Sequence, residues 1–84
     1  MTRLWPEGEM IEVISDKDKF PQQLIWQGKI HTITRITRRW RNKSDWWDEP
    51  LWRDYFKLTT DAGLLLIIFQ DLVNEKWYLQ RLYD

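Results

Sequence analysis

The chain has 84 residues, with 13 basic and 13 acidic side chains, one His and no Cys. That length admits a single domain, and a content of 31% charged and 43% hydrophobic residues excludes disordered and fibrous classes. The lack of cysteine excludes disulfides, thiolate metal sites and cysteine nucleophiles, and one histidine excludes a His-based zinc site without carboxylate help.

Residues 1–8 read as an N-terminal arm, with Trp5, between Leu4 and Pro6, latching it to the body. Met10 to Ile14 reads as a first short strand, and Asp16-Lys17-Asp18-Lys19 as a polar loop closed by Phe20-Pro21. Gln23 to Trp26 is a second strand, and Gln27-Gly28-Lys29 a hairpin turn in which glycine supplies a positive φ. The third strand, from Ile30 towards Trp40, is dominated by Ile and Thr. Its apolar residues Ile30, Ile33, Ile36 and Trp40 recur with a helix-like period, which one β-bulge in a strand also produces.

Residues 41–50 form an aromatic and charged loop, with a short helical turn capped by Ser44 as one option there. Leu51 to Thr60 is a fourth strand, in which Trp52, Phe56 and Leu58 alternate with Arg53, Tyr55 and Lys57. After the turn Thr60-Asp61-Ala62-Gly63, Leu64 to Phe69 is apolar on both faces and reads as the most central strand. Asp71 to Glu75 turns again, and Lys76 to Tyr83 is the last strand. The sequence therefore predicts one all-β domain over 1–84: a small, partly open antiparallel barrel or strongly curled meander of five or six strands.

Seven Trp, three Tyr and three Phe serve first as a core for a small, disulfide-free domain. One buried aromatic removes roughly 150–250 Å² from water, and at about 25 cal/mol/Å² this is several kcal/mol. Trp26, Trp52 and Trp77, flanked by apolar neighbours, are assigned to the core. No apolar leader opens the chain, and the run Leu64–Phe69 is too short to span a bilayer, so cytoplasmic residence without membrane contact is expected.

Net charge is zero, but the charges are segregated. Lys29, Arg35, Arg38, Arg39, Arg41 and Lys43 follow one another with no acidic residue between them, whereas Asp45, Asp48, Glu49 and Asp54 then stand against Arg53 alone. Two readings stay open. In one, Arg35, Arg38, Arg39, Arg41 and Lys43 contact phosphates while Trp40 stacks on bases, as single-strand binding requires. In the other, the acidic segment folds back and neutralises the basic one. Trp46 and Trp47, beside Asp48 and Glu49, form a second candidate: a loop-borne aromatic pair suited to anchoring a protein partner, or a second copy of the chain.

Catalysis is not expected. Ser15 and Ser44 lie in no nucleophile elbow, three glycines cannot build a phosphate-cradling loop, and Asp45, Asp48 and Glu49 read as a solvated cluster. No cofactor and no metal site are expected either.

The pattern Gly28-Lys29…Ile33…Trp40…Trp46-Trp47…Arg53…Tyr55, followed by Gly63…Asp71…Trp77-Tyr78-Leu79…Arg81…Tyr83-Asp84, resembles a small bacterial domain family of unknown function. A similar domain forms the C-terminal tail of ImuB-type proteins, the inactive Y-family polymerase relatives of bacterial mutasomes. The resemblance covers roughly Trp26 to Asp84, and the chain departs from it in the basic stretch Arg38-Arg39-Trp40-Arg41. It implies a role in DNA repair or translesion synthesis, through single-stranded DNA or a polymerase or repair protein. No activity of individual residues follows from it.

Overall fold

The computed structural model describes residues 2–44 and 51–83. They form six antiparallel strands: β1 (Arg3–Ser15), β2 (Pro21–Trp26), β3 (Lys29–Ser44), β4 (Leu51–Thr60), β5 (Leu65–Asp71) and β6 (Trp77–Tyr83). Each strand pairs with the next, and β6 pairs back onto β1, so the meander curls into a closed ring. This is the all-β, strongly curled arrangement expected from the sequence. Among the described residues, no helix is long and apolar enough to cross a membrane.

Period-two alternation divides each strand between an interior and an outer face. Leu24, Trp26, Phe56, Leu58, Leu66, Ile68, Trp77, Leu79 and Leu82 point inward and form the core with Ile11. Trp5 packs edge-on against Trp26, with ring centres 6.1 Å apart, as its flanking residues suggested. The turn between β2 and β3 has positive φ at both Gln27 (52°) and Gly28 (75°), the tight hairpin geometry whose twist matches the strands it joins.

Strands β2, β5 and β6 differ from the sequence reading by one or two residues at one or both ends, and two boundaries differ by more. Residues 1–8 are not a separate arm, because from Arg3 onward they enter β1. The breakers Pro6 and Gly8 are absorbed by a bulge: Leu4 faces Arg81 and Glu9 faces Leu79, so Trp5 to Gly8 stand opposite Gln80 alone. The expected loop 41–50 is also shorter, since β3 continues to Ser44. Residues 45–50, where a helical turn was one option, lie outside the described residues.

β3 carries two bulges rather than one. Thr34 is the extra residue between the pairs Ile33–Thr60 and Arg35–Thr59, and Thr37 the extra residue between Ile36–Leu58 and Arg38–Lys57. Each bulge threonine donates its hydroxyl to the carbonyl of the opposing β4 residue, Thr34 to Thr59 at 3.2 Å and Thr37 to Lys57 at 3.0 Å. The helix-like spacing has this origin: Ile33 and Ile36 pack on the core, while Ile30 is exposed and Trp40 joins a cluster on the outer face.

Candidate functional site

The bulges decide which basic residues of β3 share a face. Inward residues of β4 are Asp54, Phe56 and Leu58, and their β3 partners are Arg41, Arg39 and Ile36. Outward residues are Tyr55, Lys57 and Thr59, whose partners are Trp40, Arg38 and Arg35. The basic stretch is therefore split. Arg35, Arg38 and Trp40 lie on the outer face, whereas Arg39, Arg41 and Lys43 lie on the face that continues the interior.

Two members of the inner set share one carboxylate, so Arg39 and Arg41 follow the reading in which an acidic residue folds back on the basic stretch, while Lys43 has no ion pair among the described residues. Asp54 is buried and accepts from Arg41 through two bonds, Nε at 2.6 Å and Nη2 at 3.1 Å, and from Arg39 Nη2 at 3.3 Å. The Arg41 hydrogen bond, with support from Arg39, holds the Asp54 carboxyl below its ordinary range against the opposing effect of burial. The same pairing raises Arg41. Arg39 also lies over the rings of Phe20 and Phe56, at 5.1 and 5.6 Å. The neutralising carboxylate thus comes from β4.

Trp52, assigned to the core, is corrected. It is 38% exposed, with Arg41 and Lys43 at 5.8 and 5.2 Å from its ring. The β4–β5 ladder begins at Arg53, so Trp52 sits on a hairpin extension with no β5 partner across from it. Trp26 and Trp77 are buried as expected.

The outer face of β3 to β6 is more ordered than the sequence suggested. One row crosses four strands through the paired positions Trp40, Tyr55, Phe69 and Tyr78. Successive ring centres are 5.3, 5.2 and 5.1 Å apart, with interplanar angles of 4°, 38° and 20°. The neighbouring row runs Arg38, Lys57, Ile67, Arg81, and the next Arg35, Thr59, Leu65, Tyr83. Cations lie against the rings: Arg38 on Trp40 at 5.0 Å, Arg53 on Phe69 at 4.5 Å, and Lys57 and Arg81 on Tyr83 at 5.4 and 5.6 Å.

Two features of this face do not serve the fold. Arg38 and Lys57 are direct cross-strand partners of like charge, an arrangement that destabilises a sheet. Arg53 and Arg81 each bury an Nε with no hydrogen-bond partner among the described residues, although their Nη1 groups donate to Tyr55 and Tyr83. Among the described residues, Arg39–Asp54 and Arg41–Asp54 are the ion pairs, and neither touches the outer face. Asp71, opposite Arg53 at the margin, caps its own turn by accepting from the Val73 amide at 2.9 Å.

Lys57, Arg81, Arg53 and Tyr83 were not assigned to a site from the sequence, although Arg53, Arg81 and Tyr83 stand in the pattern that carries the resemblance. The alternation of Arg53, Tyr55 and Lys57 in β4 carried the signal, but its link to Arg38 depends on a register that the bulges set. Trp46, Trp47, Asp48 and Glu49, the candidate partner anchor, lie outside the described residues.

The fold and the site together define a small six-stranded β domain with a cationic sheet face backed by aromatic rings. Comparison with protein-family models, curated proteins and solved structures returns no match for this chain.

Proposed function

We propose that the chain is a non-catalytic module that binds single-stranded nucleic acid on the outer face of β3 to β6. The observation that carries this is the row Arg38, Lys57 and Arg81, with Arg35 beside it, which gathers cations from three strands with no described carboxylate paired to them. Adjacent strands are about 4.8 Å apart, so the row from Arg38 to Arg81 spans about 14 Å, enough for roughly three nucleotides. Phosphates follow this row. A base that stacks on Trp40 takes the place of the Arg38 guanidinium, which then turns to a phosphate. The resemblance to the ImuB tail motivates placing this binding in DNA damage tolerance.

The test is a tryptophan-fluorescence titration with an eight-residue oligothymidylate over a range of salt. Three neutralised phosphates give a slope of log affinity against log salt of about −2. Reversing both Lys57→Glu and Arg81→Glu should abolish saturable quenching while the buried Trp26 and Trp77 report an unchanged fold. A flat titration at low salt, or unchanged affinity in the double variant, refutes the proposal.

A further inference from the structure

β3 spans 16 residues and uses opposite edges along its length. Lys29 to Thr32 pair with β2 through one edge, and Ile33 to Ser44 pair with β4 through the other. Among the described residues, no strand continues along the first edge beyond Thr32. The bulges at Thr34 and Thr37 interrupt its near part, but from Arg38 to Ser44 the register is continuous. That stretch presents alternate amides and carbonyls with no strand partner, the template for an added strand.

The opposite margin of the same sheet, the first half of β1, is guarded differently. Pro6 has no amide to offer, and Trp5 to Gly8 bulge away from regular geometry. Between Arg38 and Ser44, β3 has neither device. Its guard is charge: Arg38 on the outer side, and Arg39, Arg41 and Lys43 on the inner side. Positive charge stops two copies from pairing through this edge, since like charges would meet, but it favours an acidic strand.

We infer that the edge of β3 from Arg38 to Ser44 receives an extended acidic peptide segment of a protein partner as an added β-strand. Main-chain hydrogen bonds to the edge supply affinity, and carboxylates at alternate positions meet Arg39, Arg41 and Lys43 on the inner side. Asp54 holds the first two of these in place through shared hydrogen bonds while leaving both arginine side chains about half exposed, at 42% and 51%. The site shares Arg38 and Trp40 with the outer-face rows, but its main-chain edge and the inner cations Arg39, Arg41 and Lys43 are not used by the proposed nucleic-acid binding, so the two can be tested separately.

The probe is an eight-residue peptide of alternating Thr and Glu, titrated into the intact protein while backbone amide exchange is followed by NMR. A control peptide of the same charge carries two central prolines and cannot add as a strand. The alternating peptide should bind saturably and slow exchange at every second amide between Arg38 and Ser44 by tenfold or more. Lys43→Glu should weaken it at least fivefold, and the proline peptide should not bind. No binding at millimolar peptide, equal binding of the proline control, or binding without alternating protection would each overturn the inference. The same alternating protection by oligothymidylate would assign the edge to nucleic acid and also overturn it.

Discussion

Of the three glycines, Gly8 is the one with no room for a side chain. Its φ is +84°, and a Cβ built there would lie 2.7 Å from the Tyr78 Cβ and 2.9 Å from two carbons of the Phe69 ring. The first neighbour is fixed to the β6 backbone, and the second is a buried ring held between Tyr55 and Tyr78. Neither can yield as a flexible chain end would. Left-handed backbone costs an alanine about 1–2 kcal/mol, and forcing an extra methyl into a packed site adds about 1–3 kcal/mol. Gly8→Ala should therefore destabilise by about 2–5 kcal/mol. For a domain of this size each kcal/mol moves Tm by about 4–8 °C. Gly28→Ala is the internal control, because its φ is +75° but nothing lies within 4 Å of the added Cβ. It carries the conformational term alone, about 1–2 kcal/mol. Urea unfolding followed by tryptophan fluorescence, with the m-value held constant between variants, compares the two. Equal losses for Gly8→Ala and Gly28→Ala would refute the close approach of the β1 bulge to the outer aromatic row.

Three further outcomes follow from the two faces. Asp54→Asn removes a buried charge that organises two exposed guanidinium groups, and should cost about 1–2 kcal/mol in urea unfolding, since the arginines can rehydrate. The folded-state pKa of Asp54 is depressed, so its contribution is fully present above the unfolded carboxylate value near 4 and is lost as pH falls through the folded value; an acid titration of the wild type should lose more stability below about pH 4 than one of Asp54→Asn. Arg81→Met keeps an apolar stem over Tyr83 and removes an unsatisfied buried Nε together with the Nη1 hydrogen bond to Tyr83, so stability should stay within about 0.5 kcal/mol, while the salt slope for oligothymidylate should shrink by about 0.7.

β4 was legible because strict alternation of Trp52, Phe56 and Leu58 with Arg53, Tyr55 and Lys57 survives in a strand without bulges. Its bounds, Leu51–Thr60, fall where the sequence placed them. β3 was legible as a strand but not in its facing. Two inserted threonines each shift the alternation by one residue, so that Arg38 emerges outward and Arg39 inward from what reads as one basic run. Pairing with Asp54 then ties Arg39 and Arg41 to one shared carboxylate, and nothing in linear order marks that carboxylate above those at 45–49. Lys57 and Arg81 join the site only through cross-strand register, to which composition is blind. Trp52 misled because an apolar residue in a strand reads as core, whereas its burial depends on whether a third strand extends as far as its hairpin does.

The doubly apolar β5 explains why aromatic rings occur together with cations that have no ion pair among the described residues. Leu66 and Ile68 fill the ring's interior, while Ile67 and Phe69 face outward and are also buried. In so small a ring the interior alone buries little surface, so a second apolar layer on the outer face adds stability, and rings stacked on one another exclude water from it. Such a layer needs a polar cover. Long basic side chains provide one by lying along the rings with their charges at the surface, and on packing grounds alone glutamate, glutamine and alternating signs would serve as well. The described residues instead place Arg38, Lys57, Arg81 and Arg35 there, including a like-charged cross-strand pair that weakens the sheet. The aromatic layer accounts for long side chains at these positions, but not for their single sign. That residue of unexplained charge is what the proposed polyanionic ligand would account for, and it is why loss of charge with retention of the stem, as in Arg81→Met, separates the cover from the proposed binding site.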